Sequence, residues 1–191
     1  MRKTVLTFGA ISGAILSIMM LATMPFIDRI GFEKGEVIGY TTMVVAFLLI
    51  FFGIRSYRDN VAGGSVGFGR AFAVGALIAL VASVFYVATW QVVYYKLVPD
   101  FGEKYQAHMI EKARAEGASQ AEIDEKAADA QKYERWFRNP AINVAITFIE
   151  PLPLGLIVAL ISAGILRRRT SVPGTNRSTE GGRRVEPTTV R

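Results

Sequence analysis

The sequence contains no cysteine and one histidine in 191 residues. Disulfides, cysteine-ligated metals and carboxy-terminal prenylation are thereby excluded, and zinc or haem chemistry lacks its usual ligands. No cofactor is expected. Formal charge is missing along four stretches, Thr4–Ile27, Val37–Ile54, Ala71–Tyr95 and Ala141–Leu166, with Glu150 the sole exception. Apolar residues make up 51% of the chain, and this clustering differs from their scatter in a soluble core. A bilayer span takes about 20 apolar residues, with a working range of ~17–25. Val37–Ile54 is near the short limit, and the slight excess of the last stretch is absorbed by tilt, a kink or overhang. The chain therefore reads as an all-α membrane protein with four transmembrane helices.

Arg2-Lys3 before an apolar run suggests a signal peptide. The run exceeds the ~7–15 residues of such a core, however, and Met24-Pro25-Phe26 is a poor cleavage context. An uncleaved first span is expected. The basic residues set the topology: Arg2 and Lys3 precede span one, Arg55, Arg58 and Arg70 surround the second connection, and Arg167-Arg168-Arg169 follow span four. Short-loop Lys and Arg dominate orientation, so both termini are expected in the cytoplasm. The third connection also holds eight Lys or Arg, which opposes this signal. The net charge of +6 is accounted for by topology, and no nucleic-acid fold accompanies it.

Residues 99–140 read as a helical hairpin outside the cytoplasm. Pro99 suits a first helical turn, and Gly117 suits a left-handed terminus. Phe101, Tyr105, Met109 and Ala113 recur every four residues as one weakly apolar face. Ser119 and Glu122 have capping-box spacing, Ile123, Ala127 and Ala130 form a seam, and Pro140 ends the second helix. The charged faces are expected to be solvated, with a docking lid as the sharper alternative. Tyr94, Tyr95, Trp136 and Phe137 are expected to anchor at the membrane interface. Residues 1–169 form the membrane domain. Residues 170–191, rich in Gly, Ser, Thr, Pro and Arg, read as a disordered cytoplasmic tail. Arg167, Arg168 and Arg169, just before it, suit anionic headgroups.

Three spans carry small-residue rows: Gly9, Gly13 and Ser17; Ala71, Gly75, Ala79 and Ser83; and Gly155, Ala159 and Ala163. Such rows let helix backbones approach closely in lipid. The second span instead carries Phe47, Leu48, Phe51 and Phe52, which places it at the periphery. The same rows suit a homodimer, or another membrane protein as partner, equally well.

A carboxylate at membrane depth costs at least ~2.5–3.5 kcal/mol on lenient scales, which makes Glu150 a functional suspect. Asn143, Thr147 and Glu150 share a face of the fourth span, and the third-span row continues through Val87 to Gln91. Gln91 lies ~7.5 Å along the axis from Lys96, and Glu150 ~13.5 Å from Ala141. A cluster of Gln91, Asn143, Thr147 and Glu150 is expected, either as a proton or cation site or as a packing device. Pro151 and Pro153 would loosen the helix there, and Pro151 disfavours helical geometry at Glu150. Glu150 then sits at the positive end of a half-helix beginning at Pro151.

Two motifs carry no chemistry. Gly63-Gly64-Ser65-Val66-Gly67 has the spacing of a nucleophile elbow but lacks the strand-to-helix setting, and His108 would lie across the membrane. His108 is expected to be solvated. The sequon Asn176-Arg177-Ser178 lies in the cytoplasmic tail, away from glycosylation machinery.

The runs Tyr57-Arg58-Asp59-Asn60, Gly63-Gly64, Phe68-Gly69-Arg70-Ala71-Phe72, Pro99-Asp100-Phe101, Asn139-Pro140 and Glu150-Pro151-Leu152-Pro153-Leu154-Gly155 resemble domain-of-unknown-function family 4199. The similarity spans about residues 4–169. It implies a small bacterial membrane protein with this span arrangement, and brings no activity or catalytic residue. With no convergent catalytic set, a non-enzymatic scaffold or interaction protein is expected. The alternative is a small proton- or cation-coupled transporter, or transporter subunit, using Glu150. The ligand in that case is unspecified.

Overall fold

The computed structural model describes residues 1–167, so Arg168, Arg169 and the tail lie outside the described residues. Within them the chain is all-helical. The first span is α1 (Arg2–Thr23), continued by a 3-10 turn (Met24–Phe26) and short α2 (Ile27–Ile30). Gly31, at φ 85°, reverses the chain into α3 (Phe32–Asn60), the second span. A loop carrying two left-handed glycines, Gly63 and Gly64, leads to α4 (Phe68–Val92) and a π-turn (Val93–Leu97). The nucleophile-elbow spacing therefore falls in an interhelical loop. The hairpin is α5 (Phe101–Ala115) and α6 (Gln120–Phe137), and the fourth span is α7 (Pro140–Ile149) followed by α8 (Pro151–Leu166). Four helical segments, Arg2–Ile30, Phe32–Asn60, Phe68–Leu97 and Pro140–Leu166, are long and apolar enough to cross a bilayer.

The small-residue rows make two seams on α4. On one side, a Cβ added to Gly9 would lie 2.7 Å from Val81 Cβ, and one on Gly13 would lie 2.5 Å from Phe85 Cβ. One turn further, Thr89 Oγ1 donates to Ser17 Oγ at 2.7 Å. The partners advance together along α1 and α4, so the first and third spans run parallel. On the other side, Gly75 faces the Ala159 methyl and Gly155 the Ala79 methyl, at 2.8 and 2.7 Å from the added Cβ. Those partners run in opposite senses, as successive spans must.

The second span is not peripheral. α3 packs on α1, α4 and α8. Met43, Ala46, Phe47, Ile50 and Ile54 are fully buried, while Leu48 and Phe52 face outward. The aromatic run was a poor guide, because its residues point to different sides of the helix. Phe47 reaches beside Gly155, and Ile50 and Ile54 flank Gly75, so large side chains of α3 fill the space left by small residues on α4 and α8. Ser12 Oγ also donates to Ala46 O at 2.9 Å within this core.

The hairpin rests against the bundle. Ser119 and Glu122 form the expected capping box, and Gly117 ends α5 at φ 80°. Ala113 and Ile123 are buried between its helices. Phe32, at the start of α3, meets Phe101, Tyr105 and His108, with ring centroids 5.9, 5.7 and 4.9 Å away. His108 is thus stacked and half-buried rather than solvated. Lys104 bridges Asp28 at 2.7 Å and Asp100 at 2.9 Å, and Lys112 reaches Glu33 at 3.1 Å. Of the four expected anchors, Tyr95 and Trp136 are exposed, whereas Tyr94 is buried and packs edge-on against Phe137 at 5.8 Å. Tyr94 and Phe137 therefore hold the hairpin's return to the end of α4.

Candidate functional site

The antiparallel seam of α4 and α8 continues into α7, where side chains change from small to polar. Gln91 Nε2 donates to Asn143 Oδ1 at 2.9 Å. Asn143 Nδ2 donates to Phe137 O at 3.1 Å, and Thr147 Oγ1 donates to Asn143 O at 2.7 Å. Asn143 is fully buried, and its side chain uses both amide and carbonyl. Buried amides lacking such partners would be costly in lipid. Three of the four expected cluster residues are thus brought together by hydrogen bonds centred on Asn143.

Glu150 stands apart from them. Its Oε2 accepts from Tyr86 Oη at 2.8 Å, a partner that the sequence reading missed. The available signal was Tyr86 itself, a hydroxyl well inside an apolar span and four residues before Trp90. Glu150 is helical, at φ −75° and ψ −62°, so the expected loss of helical geometry before proline does not occur. The helix is nevertheless interrupted there, between α7 and α8. Pro151 and Pro153 bring no N–H to the carbonyls of Thr147 and Ile149, one turn earlier. Glu150 occupies the N-cap position of α8, but its carboxylate makes no cap hydrogen bond and turns towards Tyr86 instead.

The carboxylate borders an open groove of about 410 Å³, lined by Tyr40, Tyr86, Trp90, Phe137, Ile146, Thr147, Ile149 and Glu150. Tyr40 comes from α3, Tyr86 and Trp90 from α4, and the rest from α6 to α8. Thr147 is the link between the polar cluster and this groove. Among the described residues the only carboxylate in the lining is Glu150, and no Lys or Arg contributes.

Outside the spans, charge pairing shapes the hairpin. Donating to the Asp28 and Asp100 carboxylates raises the Lys104 pKa, and the bond from Lys104 in turn lowers that of Asp100. Bonds from the Ser119 backbone N–H and hydroxyl lower the Glu122 pKa.

Four apolar helices around a small-residue core, with a polar site enclosed near one end, define a multi-pass integral membrane protein. A family model described as a protein of unknown function, DUF4199, matches residues 7–168, and the chain belongs to that family. No curated protein and no solved structure matches it.

Proposed function

We propose that the protein is a non-enzymatic scaffold or interaction protein of a bacterial inner membrane, with both termini cytoplasmic and the hairpin on the opposite side. The observation carrying this reading is the fixed attachment of the hairpin. The Phe32 stack and the Lys104 and Lys112 bridges bind α5 to the bundle, while α6 leaves Asp124, Glu125 and Asp129 exposed. A charged helix held at one orientation over a bundle suits recognition of another protein. The basic residues at Arg2, Lys3, Arg55, Arg58, Arg70 and Arg167 support the orientation. The test is photocrosslinking in cells from positions 125 and 129, with buried position 123 as comparison. Discrete adducts from the two exposed positions alone support the reading. Adducts absent from both, or equally frequent at position 123, overturn it.

Glu150 favours a second reading, a proton- or cation-coupled transporter subunit. Beyond Glu150 the α4–α8 seam packs methyls against glycine backbone at Ala79–Gly155 and Gly75–Ala159, so that path needs a second copy. Flux through reconstituted protein that is identical for wild type and Glu150→Gln removes this reading.

A further inference from the structure

We propose that the groove between Tyr40, Tyr86 and Glu150 binds the ammonium group of an amphiphilic monocation. This goes beyond the scaffold reading, which rests on the hairpin. The ligand class is an amine or quaternary ammonium carried on an apolar body.

Three observations converge on it. The first is charge: among the described residues Glu150 is the only carboxylate in the lining, without Lys or Arg beside it. Tyr86 donates to one carboxylate oxygen, and no cationic side chain of the lining would balance the carboxylate once it ionises, a role left to a ligand. The second is the wall. Tyr40, Tyr86, Trp90 and Phe137 contribute four aromatic rings, and aromatic faces attract alkylammonium groups most strongly where water is excluded. The third is access. Ile149 is 68% exposed and Tyr40 47% exposed at the rim, on the outer surface of apolar spans. A ligand thus enters sideways from the bilayer and leaves its tail in lipid. The volume of about 410 Å³ falls within the ~300–1,000 Å³ of small-molecule sites.

The ammonium could be presented by a phospholipid headgroup or by a free organic cation, and the experiment separates these sources. Trp136→Phe leaves Trp90 as the sole tryptophan reporter, since the chain has two. Purified full-length protein in neutral maltoside micelles is titrated with hexyltrimethylammonium while Trp90 emission is followed. Hexanol and hexyl sulfate serve as controls. A saturable change specific to the cation is expected, weakened about tenfold or more by Glu150→Gln, as for loss of a charge-assisted contact. Ile149→Trp read by native mass spectrometry should also weaken binding, by narrowing the rim at an exposed position without touching the carboxylate. It keeps the test valid if Glu150→Gln misfolds. In phosphatidylglycerol nanodiscs, competition by added phosphatidylethanolamine identifies the headgroup as source, and its absence identifies a free cation. Equal responses to hexanol, an unsaturable response, or undiminished affinity in a folded Glu150→Gln protein or in Ile149→Trp would overturn the proposal.

Discussion

Gly13 and Phe85 lie so close that a methyl group on Gly13 would stand 2.5 Å from Phe85 Cβ. Neighbouring atoms cannot yield easily, since Gly9 meets Val81 one turn below at 2.7 Å. Association in lipid depends on this approach, because apolar burial there brings no gain over contact with lipid tails.

Gly13→Leu should therefore destabilise the bundle by about 1–3 kcal/mol or more, the usual cost of overpacking. Gly39→Ala is the contrast. It adds a methyl group to α3 where nothing lies within 4 Å, and should be neutral or stabilising by up to ~1 kcal/mol. Denaturation of both variants in the same micelle checks the pair. A well-tolerated Gly13→Leu would contradict the seam.

The Gln91–Asn143 bond should show as a coupling. Asn143→Ala strips a partner from Gln91, from Phe137 O and from Thr147, with an expected cost of ~1–3 kcal/mol. Adding Gln91→Ala should cost less than the sum of the two single changes, by about 0.5–1.5 kcal/mol. Additive losses would mean that the two side chains do not share a bond.

Hairpin docking should respond to pH with a defined sign. The Asp100 and Glu122 pKa values are lowered in the folded protein. Their stabilisation is therefore present above the ordinary carboxylate range, and is lost as pH falls through the depressed folded values. Hydrogen exchange should reveal lower protection, relative to the intrinsic rate at each pH, in the first turns of α5 and α6 on acidification. The Lys104 and Lys112 bridges are solvent-facing, so salt should loosen the Phe32 contact in the same direction. Ser119→Ala should already show the α6 change at neutral pH.

Orientation is open to a direct measurement. A cysteine at Gln120, in a chain that has none, should react with an impermeant thiol reagent in intact spheroplasts. Labelling only after lysis would place the hairpin in the cytoplasm and reverse the proposed topology.

The four spans, the capping box at Ser119 and Glu122, and the chain reversal at Gly117 were legible because each depends on residues within a few turns. Apolar length, hydroxyl-to-carboxylate spacing and a left-handed glycine need no distant partner. The Gln91–Asn143 pairing was also accessible, since the small-residue periodicity of α4 and α8 carries its register into the polar end. The placement of α3 was not. Phe47 and Phe52 look alike in sequence, and only rotation of the helix about its axis buries one and exposes the other.

Glu150 marks the same division. The sequence determined that a carboxylate lies at membrane depth, beside two prolines that interrupt the helix. Only the tertiary structure decided that it meets Tyr86, 64 positions away, rather than Gln91. The physical reason is angular: α-helical residues three or four apart share a face, but small rotations choose which neighbouring helix that face meets. Packing of α4 against α1 and α8 sets those rotations, and with them the groove that Glu150 borders.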